Sequence, residues 1–338
     1  MIFWVFIVFL FIFGLMIVYI ENMFLHNLQR KNPGEEFSAD IDVSFYQNSP
    51  VIDMAEQGLA YMEIVQKEDV YIDSYDHLKL HATLFPIENH PKKFVIGIHG
   101  FQSHALNEFA PHIQFYHSLG FSMLLVDDRA HGYSEGDYIT MGVKDRLDCI
   151  AWAQYLVKRY GQDVQIILHG VSMGGATVLS ASGEASLPKQ VIGTISDCGF
   201  TSVEEALNVQ IKNLFHIPSS FIVQVCKSVA LYRAKFDFDE AKPIEQVKHS
   251  KVPILFVQGS EDRIVPSYMA EKLYEACSTK KKLLLVENAN HAESIAMDTK
   301  AYHDAICELF QIERNSLYGN VFDRKKQHTR NIDHSTIC

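Results

Sequence analysis

A glycine-rich turn with one serine at its tip is the first candidate for chemistry. The short apolar run 164–168 is followed by Gly170, Ser172 and Gly174 in a GxSxG pattern, and small and apolar residues then begin a helix. A serine at such a strand–turn–helix junction presents its hydroxyl at the end of the strand. A Cβ at either glycine would collide with the neighbouring strand or helix. The pattern predicts that Ser172 is a nucleophile.

Two later loops offer the partners that a nucleophilic serine needs. A serine is a weak nucleophile at neutral pH, so it requires a general base, and the base requires a carboxylate to orient it. Asp262 follows the apolar run 254–257, and His291 follows the run 283–286. Glu261 is an alternative acid because it neighbours Asp262. The order serine, acid, histidine along the chain is the one found in α/β-hydrolases.

The other histidines near glycines or strand ends are interpreted as structural. His99 and His169 each precede a glycine of a candidate site, and His131 follows a predicted strand. His303 belongs to the predicted final helix. His291 therefore remains the predicted base.

Composition excludes several classes of function. The net charge of −11 argues against a nucleic-acid partner, because phosphate binding requires a basic surface. The chain has no HExxH or CxxC motif, no GxGxxG after a strand and no phosphate-binding GxxxxGK[ST] loop, so we expect no metal and no cofactor. The six cysteines are widely spaced and are interpreted as small buried hydrophobic residues. They are Cys149, Cys198, Cys226, Cys277, Cys307 and Cys338.

The amino-terminal residues 1–20 are predicted to be a transmembrane anchor. Ile2 to Ile20 carry no charge, and nineteen helical residues reach about 29 Å, close to the ~30 Å hydrocarbon core of a bilayer. A cleaved signal peptide is the alternative, but no basic segment precedes the run and no AxA-like site follows it. Arg30 and Lys31 favour a single-pass protein of the cell membrane with its carboxyl-terminal side in the cytoplasm.

One large α/β domain is predicted over residues 45–312, after a polar linker at 21–44. Residues 50–66 are expected to form a helix, and 69–73 with 78–86 an antiparallel hairpin. Short apolar runs then alternate with amphipathic helices, which predicts a mostly parallel sheet with helices on both faces. The predicted strands after the hairpin are 94–98, 122–126, 164–168, 191–195, 252–257 and 282–286, which gives eight in total. The polar residues 313–338 are predicted to be a disordered tail.

The long connection after the sixth strand is predicted to be a helical cap. More than fifty residues separate Asp197 from Val252, and an excursion of that size commonly covers a site. We place the cap at about 199–250, and we expect substrate contacts between about Phe215 and Tyr232, without assigning them to single residues. An apolar cap over a serine suggests an apolar portion in the substrate.

Five motifs, which occur in this chain in the order typical of one family of proteins, indicate a specific resemblance to that family. They are the HG turn His99-Gly100-Phe101, the loop 127–134, the turn Gly170 to Gly174, the GxxD-like sequence Gly259 to Asp262, and Asn290-His291. From about residue 69 to 310 the chain resembles serine hydrolases of the α/β-hydrolase fold. With its apolar amino terminus, it looks like bacterial membrane-anchored hydrolases that are grouped with esterase-like or serine aminopeptidase-like members.

The resemblance implies roles for individual residues. Ser172 would attack an acyl carbonyl, His291 would accept and return the proton, and Asp262, which matches the motif better than its neighbour, would hold the imidazole tautomer. The oxyanion hole would be formed by the backbone amides of Phe101 and Met173. His131 occupies a position that orders the HG turn in the family.

The expected function is hydrolysis of carboxylic esters, with thioesters or lipids as further possible substrates. Small acyl esters or lipids and the membrane are thus the expected partners. A peptidase of the aminopeptidase-like type is an alternative, because the cap carries acidic side chains that could bind a substrate amine. These are Glu204, Glu205, Asp237, Asp239 and Glu240. A catalytically silent, membrane-tethered binding module is the third hypothesis.

Overall fold

A mostly parallel eight-stranded sheet organises the protein. The computed structural model describes residues 2–32, 49–215 and 219–313, so the second half of the predicted linker and all but the first residue of the predicted tail lie outside the described residues. The strands are β1 (Glu68–Asp73), β2 (Lys79–Phe85), β3 (Lys93–Ile98), β4 (Ser122–Val126), β5 (Gln165–Val171), β6 (Val191–Asp197), β7 (Ile254–Gly259) and β8 (Lys281–Val286). Their order across the sheet is β1-β2-β4-β3-β5-β6-β7-β8.

The first two strands form the predicted antiparallel hairpin, and β2 joins β4 in antiparallel orientation. All later pairs are parallel. In the central strands both faces are buried, which explains why their sequences are apolar without alternation. Ile98 pairs with Gly170, so the HG turn and the serine turn leave the sheet side by side.

Helices cover both faces of the sheet, as the alternation of strand and helix predicts. The helices outside the long connection are α1 (Ile2–Leu28), α2 (Val51–Ile64), α3 (Ala105–Ser118), α4 (Asp145–Tyr160), α5 (Met173–Ser182), α9 (Ser267–Ala276), α10 (Ser294–Met297) and α11 (Thr299–Phe310). Ile167 of β5 packs with residues of α2, α3 and α11, whereas its neighbours Ile166 and Leu168 pack with α4 and α5. The core therefore has one layer on each side of the sheet.

The connection between β6 and β7 is helical. It contains α6 (Val203–Phe215), α7 (Ser220–Val229), a π-helical turn (Ala230–Ala234) and α8 (Pro243–Gln246). Its apolar residues share one cluster with Met173, directly after the serine, and Phe101 of the HG turn packs against that cluster. We call residues 199–250 the cap.

The amino-terminal helix extends further than its sequence predicts. Among the described residues, α1 is the helix long and apolar enough to cross a membrane. It continues to Leu28, so residues 21–28, which the sequence assigns to a linker, are helical and partly buried. Phe24 and Leu28 are buried in the cluster that includes the cap, because their spacing places them on one face of the helix.

Candidate active site

The serine turn has the strained backbone expected of an exposed nucleophile. Ser172 has φ 55° and ψ −114°, a conformation that residues with a side chain rarely adopt, and its amide donates to the Asp197 carbonyl at 2.8 Å. A Cβ on Gly170 would lie 2.0 Å from the Gly174 carbonyl oxygen, and one on Gly174 would lie 1.9 Å from the Ile98 carbonyl oxygen. The fold therefore requires both glycines for the close approach of β5, α5 and β3.

The structure brings the three predicted catalytic side chains into one hydrogen-bonded row. Ser172 Oγ lies 2.8 Å from His291 Nε2, and His291 Nδ1 lies 2.7 Å from Asp262 Oδ2. These distances fit a serine hydroxyl donating to Nε2 and an Nδ1–H donating to the carboxylate. The three residues follow β5, β7 and β8, whose carboxyl ends meet at one edge of the sheet.

The carboxylate of Asp262 is held by four donors. The amides of Ile264 and Val265 donate to Oδ1 at 2.9 and 2.8 Å, and Gln258 Nε2 donates to Oδ2 at 2.8 Å beside the imidazole. Glu261 is exposed, and it is Asp262 that the imidazole contacts. The geometry thus favours Asp262 over its neighbour as the orienting acid.

The electrostatics of His291 suit a general base. Burial lowers the pKa of the imidazole, but the charge and hydrogen bond of Asp262 outweigh burial, so the pKa lies above its ordinary value of 6.5. A base must be neutral to accept the serine proton. We therefore expect activity to decline as the pH falls through this raised pKa.

The backbone around the proposed oxyanion hole is arranged beside Ser172. Met173 begins α5, and a Cβ on Gly100 would lie 3.3 Å from the Ser172 Cβ, so the HG turn touches the serine. Within the described part of the chain, neither the Phe101 amide nor the Met173 amide donates a hydrogen bond. Two such amides near a nucleophile are what a developing oxyanion requires.

A carboxyl group that the sequence interpretation missed lies next to this turn. Glu108, in the first turn of α3, accepts the Gly100 amide at 2.7 Å through Oε2. Loss of solvent contact raises its pKa to about 7, and its charge acts on His291. A glutamate in the helix directly after an HG turn was the available signal.

Glu108→Gln should shift the acid limb of the pH profile to lower pH. The amide oxygen can still accept the Gly100 amide, but the charge that ionised Glu108 exerts on His291 is removed. Because the pKa of Glu108 is itself about 7, that charge is present mainly in the upper part of the limb, and the shift is small. The pH dependence of kcat/KM for a p-nitrophenyl ester measures this shift. Glu63→Gln, at an exposed site on α2, is the matched control. An unchanged acid limb in Glu108→Gln would contradict the coupling.

The histidines that the sequence interpretation treats as structural are buried, and their ring nitrogens take part in hydrogen bonds. His99 Nε2 accepts the Asp128 amide at 3.1 Å, and His169 lies between the hydroxyls of Tyr116 and Tyr302 at 2.9 and 3.0 Å. His131 Nε2 accepts the Gln102 amide at 3.2 Å. That bond ties the loop after β4 to the HG turn, which is the role that the family resemblance implies.

A buried thiol, that of Cys198, lies close to the proposed base His291. Cys198 Sγ lies 3.8 Å from His291 Nε2, and the ligand atoms of Cys198, Asp262 and His291 lie within 4.8 Å of one another. That spacing could admit a metal ion, but both His291 nitrogens already face Ser172 and Asp262. The donor set therefore fits a serine–histidine–aspartate row better than a metal centre.

Comparison with known proteins supports the fold and the class of chemistry. A sequence model of the prolyl oligopeptidase family matches residues 107–308, well over half of the chain, including the loops of Ser172, Asp262 and His291. A membrane protein of Saccharomyces cerevisiae is 26% identical over 249 residues, which are 73% of this chain and 80% of the relative.

Two solved structures share the fold at low identity. An esterase of Pyrococcus furiosus superposes with a TM-score of 0.61 at 20% identity, over 85% of this chain and 100% of the esterase. The acylaminoacyl peptidase of Pyrococcus horikoshii gives a TM-score of 0.55 at 17% identity, over 77% of this chain and 44% of the peptidase. Both esterases and peptidases therefore occur among the structural neighbours.

Proposed function

The chain belongs to the prolyl oligopeptidase family of serine hydrolases, and we propose that it hydrolyses carboxylic esters through an acyl-enzyme on Ser172. The observation that carries this proposal is the row of hydrogen bonds from Ser172 through His291 to Asp262. The row joins a strained serine, a base with a raised pKa and a fixed carboxylate. These are the parts that nucleophilic acyl transfer requires.

Each step of the reaction has a group in place. Ser172 Oγ attacks the ester carbonyl while His291 Nε2 takes the hydroxyl proton, and the carbonyl oxygen gains the charge that the amides of Phe101 and Met173 stabilise. His291 then gives the proton to the departing alkoxide, which leaves as the alcohol. A water molecule, deprotonated by the same nitrogen, attacks the acyl-enzyme, and His291 returns the proton to Ser172 Oγ as the carboxylic acid leaves.

The surroundings of the serine support an ester with an apolar acyl portion. Met173 belongs to the apolar cluster of the cap, and Phe101 packs against it. The cap acids that could bind a peptide amino terminus are mostly engaged with cations. Glu204 and Asp239 pair with Lys227 and Lys242, Glu205 pairs with Lys272, and Glu240 pairs with Arg146.

A peptidase is the second candidate, because the matching family model and one structural neighbour are those of peptidases. The Glu108 carboxyl beside the HG turn is the feature of the site that favours it, since a carboxylate could attract a substrate amine. The third hypothesis, a silent binding module, is disfavoured by the contact between the three side chains.

A substrate panel on the full chain in detergent separates the two enzymes. We expect turnover of p-nitrophenyl acyl esters, with a preference for longer acyl chains, and little turnover of aminoacyl p-nitroanilides. The same chromophore leaves in both assays, so the rates can be compared directly. Turnover of the anilides alone would reject the esterase and favour the peptidase.

We further propose that α1 anchors the enzyme in the cell membrane as a single span. The supporting observations are its length and apolar composition and the membrane protein among the relatives. The catalytic domain is placed on the cytoplasmic side from Arg30 and Lys31 alone. The substrate would be a small acyl ester or a lipid, with no cofactor.

A further inference from the structure

The amino-terminal helix does not stand apart from the enzyme; it is bound to the cap along much of its length. Phe13 contacts Phe221 at the start of α7, with ring centroids 5.4 Å apart, and Phe24 contacts Phe238 with centroids 6.4 Å apart. Residues 221–238 of the cap therefore run beside residues 13–24 of α1, in the same amino-to-carboxyl direction. Phe13 therefore marks a point on α1 that lies level with the start of α7.

The carboxyl-terminal end of α1 is tied to the body by hydrogen bonds. The Leu28 carbonyl accepts the Ile139 amide at 2.7 Å, and Arg30 Nη2 donates to the Gly132 carbonyl at 3.0 Å. Gln102, in the HG turn, donates through Nε2 to the Asn27 carbonyl at 2.7 Å. The helix and the active-site loops thus form one unit, so the membrane position of α1 fixes the position of the cap.

The length of α1 then determines how deep the cap lies. The uncharged run ends at Ile20, and seven residues separate Phe13 from it, which is about 10 Å of helix. About 17 Å of helix, from Ile2 to Phe13, lies beyond the contact between Phe13 and Phe221, which is about half of the ~30 Å hydrocarbon core. If α1 spans the core, the start of α7 lies inside it, and a tilt of the helix leaves this conclusion unchanged.

The surface of α7 is suited to that environment. From Ser220 to Cys226 the helix carries no charge, and Phe221 is 44% exposed. The one charged residue of α7, Lys227, follows this stretch and is paired with Glu204 and Asp239. Tyr232, 68% exposed, lies eleven residues further on, about 16 Å nearer to the body along a helix, where its ring would meet the headgroups. The exposed cations Arg233 and Lys235 come directly after it. The order from apolar to amphipathic to cationic matches the profile of one leaflet.

We propose that α7 is immersed in the lipid leaflet beside α1, so that the active site opens toward the bilayer and receives a membrane-resident acyl ester. This inference rests on the proposed function and anchor. The apolar cluster that begins at Ile20 and Phe24 of α1 continues through the cap to Met173, and Phe101 packs against it. The side chains that pack between α1 and the serine turn are therefore apolar, which is compatible with an acyl chain on this side of the site.

Depth-dependent quenching in vesicles tests the immersion on the full chain. The chain contains two tryptophans, Trp4 in α1 and Trp152 in the core. In a Trp4→Phe background, Phe221→Trp is reconstituted into phosphatidylcholine vesicles with brominated or unbrominated acyl chains. We expect the brominated acyl chains to quench most of the tryptophan fluorescence that Phe221→Trp adds. They should quench a smaller fraction of the fluorescence that Tyr232→Trp adds in the same background.

The control is Lys251→Trp, at an exposed position just before β7 and thus at the sheet edge opposite the carboxyl ends of the strands. Its emission should be the same in both kinds of vesicle. Hydrolysis of a soluble p-nitrophenyl ester shows that each variant is folded, and Ile222→Trp replaces Phe221→Trp if the latter is inactive.

Quenching of Trp4 in the otherwise unchanged chain, together with no quenching of Phe221→Trp, would overturn the immersed cap and leave the anchor intact. No quenching of either, with ester hydrolysis retained, would overturn both the anchor and this inference while leaving the hydrolase. Absence of ester turnover by the protein without substitutions would instead contradict the proposed function.

Discussion

Replacing Ser172 with alanine should lower kcat for ester hydrolysis by about four to six orders of magnitude, the effect typical of removing the nucleophile of a serine–histidine–aspartate row. The substitution removes the oxygen that contacts His291 at 2.8 Å and leaves the rest of the site in place. Steady-state hydrolysis of a p-nitrophenyl ester by the purified full chain measures the loss.

The matched control for this change is Ser186→Ala, which alters an exposed serine outside the site. It should retain the kcat of the unchanged protein. Circular dichroism and the thermal midpoint show whether Ser172→Ala remains folded. A folded Ser172→Ala variant with more than a tenth of the original kcat would remove Ser172 from the mechanism.

Asp262→Asn should lower kcat by about 10⁴-fold while leaving KM little changed. An asparagine amide facing Nδ1 favours the imidazole tautomer with the proton on Nε2, which can no longer accept the proton of Ser172. The Ile264 and Val265 amides donate to Oδ1 and keep the asparagine carbonyl oxygen there, so its NH2 group takes the place of Oδ2, beside Nδ1 and the Gln258 amide. Initial rates at saturating ester measure the effect.

Glu261→Gln provides the comparison, because Glu261 neighbours Asp262 and its side chain is exposed. Its kcat should stay within about twofold of the unchanged protein, as expected for a surface substitution. The sequence left these two acids as alternatives, and the pair of variants decides between them. A greater loss in Glu261→Gln than in Asp262→Asn would reverse the assignment.

The geometry of the site was predictable where local pattern determines it. Gly170 and Gly174 are required because an added Cβ would lie 2.0 and 1.9 Å from a backbone carbonyl oxygen, so the sequence indicates the turn. Asp262 and His291 were found because parallel strands place their carboxyl ends at one edge. Glu108 was not found, because its approach to Gly100 depends on how α3 packs after the HG turn.

The packing of α1 against the cap is the main feature that could not be predicted from the sequence. Glu21 interrupts the apolar run, so the residues after it were interpreted as a linker, although Ile20, Phe24 and Leu28 recur at helical spacing. That spacing indicated one buried face, but its partner in the cap is distant in the sequence. Only the tertiary structure shows that the proposed anchor is also part of the cluster next to Met173.

Ser172 acts in the proposed reaction as a nucleophile activated by His291, and labelling with a fluorophosphonate tests this role most directly. Such a probe forms a covalent adduct with an activated serine, so intact mass and peptide mapping locate it. We expect one adduct per chain, on Ser172, formed faster as the pH rises through the pKa of His291 and absent from Ser172→Ala. An adduct at another residue, or no adduct in a protein that still hydrolyses esters, would contradict the account.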